Sequence, residues 1–236
     1  MSNPEPLLLT LGCLGAFLCG SIPFGLLLVR LAGRGDVREH GSGNIGATNV
    51  SRVGGKGLGL STLVLDIAKG FFPVYLAKSQ GWDPTSTAAI ALLATTGHVF
   101  TPWLRFKGGK GVATALGAAL AFHWLMVMPS MGIFLLLVAL TRYVSLGSIV
   151  GSALMPLMLG LLPEPHRTLE VTSGSFALKL GFGSLLTWPT HQAPVIVLWS
   201  LLAGLVVVKH HENIRRLLSG TESPLWGAKK GEDAHG

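Results

Sequence analysis

The sequence predicts an all-α polytopic membrane protein: seven transmembrane helices, N-terminus outside, C-terminus cytoplasmic. Three observations carry that expectation. The 236 residues are 49% hydrophobic, with a mean hydropathy of +0.55. Only 12% are charged, about half the ~25% that keeps an ordinary soluble domain in solution. The basic residues, finally, fall between apolar runs in a sided pattern. The 32 glycines are close to twice the ~7% average. A solvated globule, a disordered chain and a disulfide scaffold all fit such a composition poorly. The net charge of +7 would suggest nucleic acid in a soluble protein; in a membrane chain no nucleic-acid partner is expected.

A helical span needs ~20 mostly apolar residues. The first candidate is 6–30, where Cys13 and Cys19 read as small buried hydrophobes. No Lys or Arg precedes Arg30, so the basic lead of a signal peptide is missing and cleavage is not expected. Pro23, in Ser21-Ile22-Pro23-Phe24-Gly25, removes one helix hydrogen bond and predicts a kink. The second span, 58–78, contains Asp66 and Lys69 three residues apart on one face. An unpaired charge at mid-bilayer costs ~2.5–3.5 kcal/mol, so an internal ion pair is favoured over an ion relay. The others are 86–104, 110–128, 129–142, 145–163 and 194–209, with the short fifth running on from the fourth through Pro129. Within the long loop 163–193, the stretch 176–188 is too short and Gly-broken to cross, and reads as interfacial or re-entrant. The reading is one membrane domain, 1–220, followed by a loose polar tail, 221–236.

With the N-terminus outside, the cytoplasmic segments collect fourteen basic residues. These are Arg30, Arg34, Arg38, Arg52 and Lys56; Arg105, Lys107 and Lys110; Arg142; and Lys209, Arg215, Arg216, Lys229 and Lys230. Only Lys78, Arg167 and Lys179 fall outside. That asymmetry is a strong positive-inside signal.

The chemistry concentrates on the same side. The first loop reads His40-Gly41-Ser42-Gly43-Asn44-Ile45-Gly46-Ala47-Thr48-Asn49, followed by Arg52. Small residues let backbone N–H groups converge on an anion, and Arg52 can fork onto phosphate; a flexible linker with capping Ser and Asn is the bland alternative. Next comes Gly97-His98, then Arg105-Phe106-Lys107-Gly108-Gly109-Lys110-Gly111, which opens a helix. Helix N-termini favour phosphate, and an anion site explains the glycines that a merely topogenic basic loop does not. Gly111 follows Lys110 where a Walker A loop has Ser or Thr, so ATP binding is not indicated. Ser145, after Arg142-Tyr143-Val144, reads first as a cap and second as a ligand group. The last span ends in His210-His211-Glu212-Asn213-Ile214-Arg215-Arg216, with His210 and Asn213 on one face. No Cys or second carboxylate joins them at ligand spacing, so no metal or other cofactor is expected.

Three stretches together, GSGNIGATNVSRVGG, GHVFTPWLRFKGGKGVATALG and HHENIRRLLSGTE, resemble the bacterial acyl-phosphate:glycerol-3-phosphate acyltransferases, the PlsY family. The SIPFG segment, Asp66-Lys69-Gly70 and Tyr143-Val144-Ser145-Leu146 match as well, from about residue 20 to 222. The departures are a longer 163–193 loop and a varied Thr101-Pro102-Trp103 approach. The resemblance implies a seven-helix enzyme of the bacterial inner membrane whose active site faces the cytoplasm. It would move a fatty acyl group from acyl phosphate to the sn-1 hydroxyl of glycerol-3-phosphate, releasing lysophosphatidic acid and phosphate. The partners implied are these two substrates and membrane lipid, without an obligate protein partner. Carried over by motif, Ser42 and Arg52 are the essential Ser and Arg. Gly108, Gly109, Gly111 and Lys107 or Lys110 bind phosphate. His210 and Asn213 are catalytically important, and Glu222 is structural. Asn44, His98 and Ser145 complete the candidate substrate-binding set.

Phosphate is already a good leaving group, so no covalent acyl-enzyme is required. Ser42 also lacks the strand–turn–helix context of a nucleophilic serine. His210, with an ordinary pKa near 6.5, is suited as a base, and so is a substrate phosphate. A transporter for organic phosphates is the alternative, but it should show a polar path through the bilayer, whereas the polar residues here crowd one face.

Overall fold

The computed structural model describes residues 1–161 and 193–226; the 163–193 loop and its 176–188 stretch lie outside them, apart from residue 193. Among the described residues every regular element is helical. Helix α1 (Pro6–Ser21) starts on a proline, whose missing N–H costs nothing there. The chain breaks at Ile22-Pro23 and resumes as α2 (Phe24–Leu31), as the kink at Pro23 anticipates. The freed carbonyls find partners elsewhere. Thr101 Oγ1 donates to Ser21 O at 2.6 Å, and Lys69 Nζ to Ile22 O at 2.8 Å. There follow α3 (Ala47–Gly54), α4 (Lys56–Ser79), α5 (Pro84–Val99), α6 (Val112–Thr141), α7 (Val144–Leu161), α8 (Ala193–Val208) and α9 (His211–Leu218). Asp83 caps α5 by accepting from the Thr85 and Ser86 amides at 2.9 and 3.1 Å.

Among the described residues two stretches, Pro6–Leu31 and Lys56–Ser79, are long and apolar enough to cross a membrane; α8 and α9, bent by 56°, make a third if counted together. The other apolar helices are shorter. Leu7, Leu11, Leu14, Phe72, Leu76, Leu136, Leu140 and Leu201 are all exposed, a patch scale that suits lipid rather than water.

Helix α6 corrects one boundary. A straight helix of 30 residues would hold its ends about 45 Å apart. Yet Lys110, before its start, and Ser145, after its end, both reach one cluster around Asn213 and Glu222. The chain therefore doubles back, at His123 (φ −158°, ψ 94°) and not at Pro129. Lys78 Nζ caps the carbonyls left there, on Ala121 and Phe122, at 3.3 and 2.9 Å. Pro129 falls in the first turn of the second half, Val127–Thr141, where a proline marks a helix start.

The glycines explain how the helices pack. A Cβ on Gly70 would land on the Thr114 carbonyl, and one on Gly117 on the Ile67 carbonyl, so α4 and α6 touch backbone to backbone. Gly20 against Ala94 and Gly97 against Phe17 do the same for α1 and α5. Small residues permit this approach where apolar burial against lipid gives little drive. A main core gathers around Trp199, Leu202 and Val206 of α8 with Ile90 and Ala94 of α5. A smaller one, Leu26, Val29, Val37, Ile45, Val50 and Leu104, supports the first loop.

Candidate functional site

A cavity of about 780 Å³ opens between α3, α4, α6, α7 and the α8–α9 bend. Its wall is divided. Ser42, Asn44, Arg52, Lys110, Ser145, His210, Asn213, Arg216 and Glu222 make a polar mouth, while Leu63, Ile67, Leu116, Met131, Phe134 and Met155, with the small hydroxyls of Ser130, Ser148 and Ser152 among them, make a mainly apolar chamber.

The loop that carries Ser42 and Asn44 is folded around one buried amide. Asn49 Oδ1 accepts from the Ser42 N–H at 2.8 Å, and its Nδ2 donates to the carbonyls of Val37, His40 and Asn44 at 3.1, 3.1 and 2.9 Å. Gly41 adopts φ +60°, and a Cβ there would strike Asn49 Oδ1, so this tight wrap requires glycine. Arg52 reaches across from α3, its Nη2 3.4 Å from the Ser223 carbonyl.

The last turn of α9 redirects the chain. Gly220 at φ +71° ends the helix, with Thr221 N donating to Arg216 O at 2.8 Å. The first residues of the segment read as a loose tail thereby fold back over the mouth. Glu222 Oε1 accepts from Ser145 Oγ at 2.6 Å and from Asn213 Nδ2 at 2.7 Å, while Oε2 accepts from Arg216 Nε at 2.7 Å. Burial pushes the Glu222 carboxyl up, but these three donors outweigh it and hold it below the usual carboxylate range. Asn213 Oδ1 in turn accepts from Lys110 Nζ at 2.5 Å. Ser145 is thus an anchor for Glu222 and not the cap expected for α7.

His210 sits at the α8–α9 bend, 2% exposed. Its Nδ1 lies 2.7 Å from the Val206 carbonyl; a carbonyl only accepts, so Nδ1 holds the proton and Nε2 the lone pair. Burial, aided by the nearby Lys110 charge, pushes its pKa down to about 4. Burial also lowers the Lys110 ammonium from its ordinary value, against the pull of Glu222. His211 is exposed and turned away, its Nδ1 3.1 Å from Val208 O.

Deeper in the wall, Asp66 and Lys69 form the expected ion pair at 2.7 Å. His98 Nδ1 lies 3.7 Å from the same carboxylate oxygen, and Asp66 and His98 both line the cavity.

The glycine-lysine loop divides differently from its sequence reading. Lys110 and Gly111 line the cavity, but Lys107, Gly108 and Gly109 do not. The N–H groups of Gly108 and Gly109 donate to Val99 O and His98 O at 3.0 and 3.1 Å, so they cradle no anion. A Cβ on Gly108 would land on the His98 carbonyl and one on Gly109 on the His98 ring. These glycines let the loop lie flat on the end of α5. Sequence reasoning passed over Arg216, which continues the stripe of His210 and Asn213 by three more residues. Three cations (Arg52, Lys110 and Arg216) thus share the mouth with the Glu222 carboxylate, a charge balance that suits a phosphate.

The sequence profile of the family described as glycerol-3-phosphate acyltransferase matches residues 10–220. Proteins named glycerol-3-phosphate acyltransferase are similar over most of their length. The one from Trichlorobacter lovleyi is 45% identical, covering 89% of this chain and 93% of its own. That from Rhodospirillum rubrum is 43% identical over 95% and 94%. Among solved structures, PlsY (YgiH), an integral membrane glycerol 3-phosphate acyltransferase, resembles the fold in its glycerol 3-phosphate form. The TM-score is 0.76 at 34% identity, covering 93% of this chain and 96% of that one. Its lysophosphatidic acid form gives 0.73 at 33% identity, over 92% and 94%.

Proposed function

The chain belongs to the glycerol-3-phosphate acyltransferase family, and from that premise we propose that it acylates the sn-1 hydroxyl of glycerol-3-phosphate from a fatty acyl phosphate. The observation that carries this reading is the divided cavity. A cationic mouth suits two phosphate groups, and the apolar chamber behind it suits an acyl tail. Ser42, Asn44 and Ser145 supply neutral hydrogen bonds, Arg52, Lys110 and Arg216 the charge.

The hydroxyl oxygen bonds to the acyl carbonyl carbon, the carbon–oxygen bond to phosphate breaks, and phosphate leaves. A histidine with a pKa near 4 is a poor proton acceptor at neutral pH, whereas a phosphate monoester has its second pKa at ~6. We therefore assign the hydroxyl proton to substrate phosphate. His210 Nε2 accepts instead from the neighbouring sn-2 hydroxyl and so aims the sn-1 oxygen, whose own proton faces the phosphate, while Asn213 holds Lys110 in place.

The membrane reading is seven crossings with the N-terminus outside, in the bacterial inner membrane, with the site on the cytoplasmic side. Support comes from the α6 reversal, from Ser2 pairing beside Trp82 at the opposite end from the cavity mouth, and from the sided basic residues. The test is purified protein with acyl phosphate and glycerol-3-phosphate. Phosphate and lysophosphatidic acid should appear in equal amounts and only with both substrates; acyl transfer from a thioester donor alone would overturn the reading.

The two loop lysines separate the same way. Lys110→Ala should raise the KM for glycerol-3-phosphate about tenfold, the lower end for one charge-assisted bond of ~1.5 kcal/mol, because Arg52 and Arg216 share the load. Lys107→Ala should change it less than twofold. Equal effects in steady-state kinetics would contradict the separation.

A further inference from the structure

Acyl transfer leaves a second basic recess unused. It holds about 460 Å³ and is walled by Arg30, Arg38, Trp103, Leu104, Arg105 and Lys107. Arg30 and Arg38 share the Asp36 carboxylate at 2.7 and 2.6 Å, and Glu39 adds a negative charge near Arg38. The side chains of Arg105 and Lys107 have no hydrogen-bond or ion-pair partner among the described residues.

The turn that presents them is fixed. The amides of Arg105, Phe106 and Lys107 donate to the carbonyls of Pro102, Thr101 and Leu104 at 3.1, 2.9 and 3.1 Å. Those bonds hold Arg105 and Phe106 at φ 53° and 62°, a region that residues with side chains enter rarely. Trp103 is tethered too. Its Nε1 donates to Ser21 Oγ at 2.8 Å while 64% of the residue stays exposed. Phe106, next to Arg105, and Leu31, next to Arg30, are exposed as well.

We propose that this recess binds the phosphate-bearing headgroup of an anionic phospholipid of the cytoplasmic leaflet, apart from the reaction cavity. Guanidinium forks match phosphate oxygens, exposed tryptophan belongs at the membrane–water interface, and basic pockets on the cytoplasmic side of spanning helices take anionic headgroups. The uncompensated pair, Arg105 and Lys107, provides the charge, and Trp103 rests against the upper acyl chains. The proposal rests on the orientation given above, which sets this end at the cytoplasmic surface.

Trp103 supplies the probe. The full chain is reconstituted with phosphatidylcholine and phosphatidylglycerol, brominated in one or the other, and Trp103→Phe isolates the Trp103 signal. Brominated phosphatidylglycerol should quench Trp103 more than brominated phosphatidylcholine at equal mole fraction. Arg105→Gln with Lys107→Gln should weaken that preference about 25-fold, at about fivefold per cation. Arg105→Gln alone, expected at about fivefold, covers a double variant that fails to insert. Equal quenching by both lipids overturns the proposal. So does a preference erased by inorganic phosphate, which would make the recess a soluble-anion site. Phosphate release from acyl phosphate, followed in the same samples, reports separately on the acyltransferase reading.

Discussion

Glu222→Ala is expected to cost about 3 kcal/mol, seen as a roughly 150-fold fall in kcat/KM and a lower melting temperature. One carboxylate ties together the start of α7 through Ser145, the α9 stripe through Asn213, and Arg216. Charge-assisted hydrogen bonds are worth ~1.5–3 kcal/mol each, but they are not additive. Arg216 is also open enough to recover part of its loss in water. Once Glu222 is gone, the Asn213 amide is held on one side only, by Lys110, and the Lys110 ammonium keeps a partner that is itself no longer fixed. Glu222→Gln should fall between: its oxygen still accepts from Ser145 or Asn213, but its NH₂ faces the Arg216 donor. The contribution is full at pH 7. Because the folded carboxyl lies below its unfolded value of 4.5, the stabilisation is lost only as pH falls past that value. Wild-type kinetics and melting in Glu222→Ala would show that the tail merely rests on the surface.

The residues easiest to read from the sequence were those whose spacing carries their meaning. His210 and Asn213, three apart after an apolar run, do share the cavity wall, and Asp66 and Lys69 do pair. Glu222 was legible only through its motif. It lies nine residues from Asn213, and a left-handed glycine between them, not helical spacing, makes the contact. Gly108 and Gly109 show a different limit. A sequence states that a side chain is missing, but not what occupies the vacated space. An anion was the expected occupant, and the His98 carbonyl and ring are the actual ones. The reversal in α6 was hidden for a related reason. Pro129 is a visible punctuation mark, but a proline is as compatible with a helix start as with its end. The break at His123 depends on Lys78 reaching the Ala121 and Phe122 carbonyls from another helix.

His210→Ala should lower kcat about 100-fold, the cost of losing the group that aims the attacking hydroxyl. The larger interest is in the pH dependence. Two groups compete to receive the proton, and each would leave its own mark on the acid side of the profile. With a pKa of about 4, a His210 base would keep the enzyme active until pH fell through that value. A substrate phosphate with its second pKa at ~6 would begin to fail two units earlier. Burial, the cause of the histidine's low pKa, is what separates the two limbs. We expect the limb near 6 in wild type. It should persist in His210→Ala and in His210→Gln, whose side-chain oxygen still accepts a hydrogen bond and should restore kcat to within about tenfold of wild type. His211→Ala, on the exposed side of the bend, should leave both rate and limb as they are. An acid limb near 4 that disappears in His210→Gln, together with a kcat loss as large as in His210→Ala, would make the imidazole the base and the substrate phosphate a bystander.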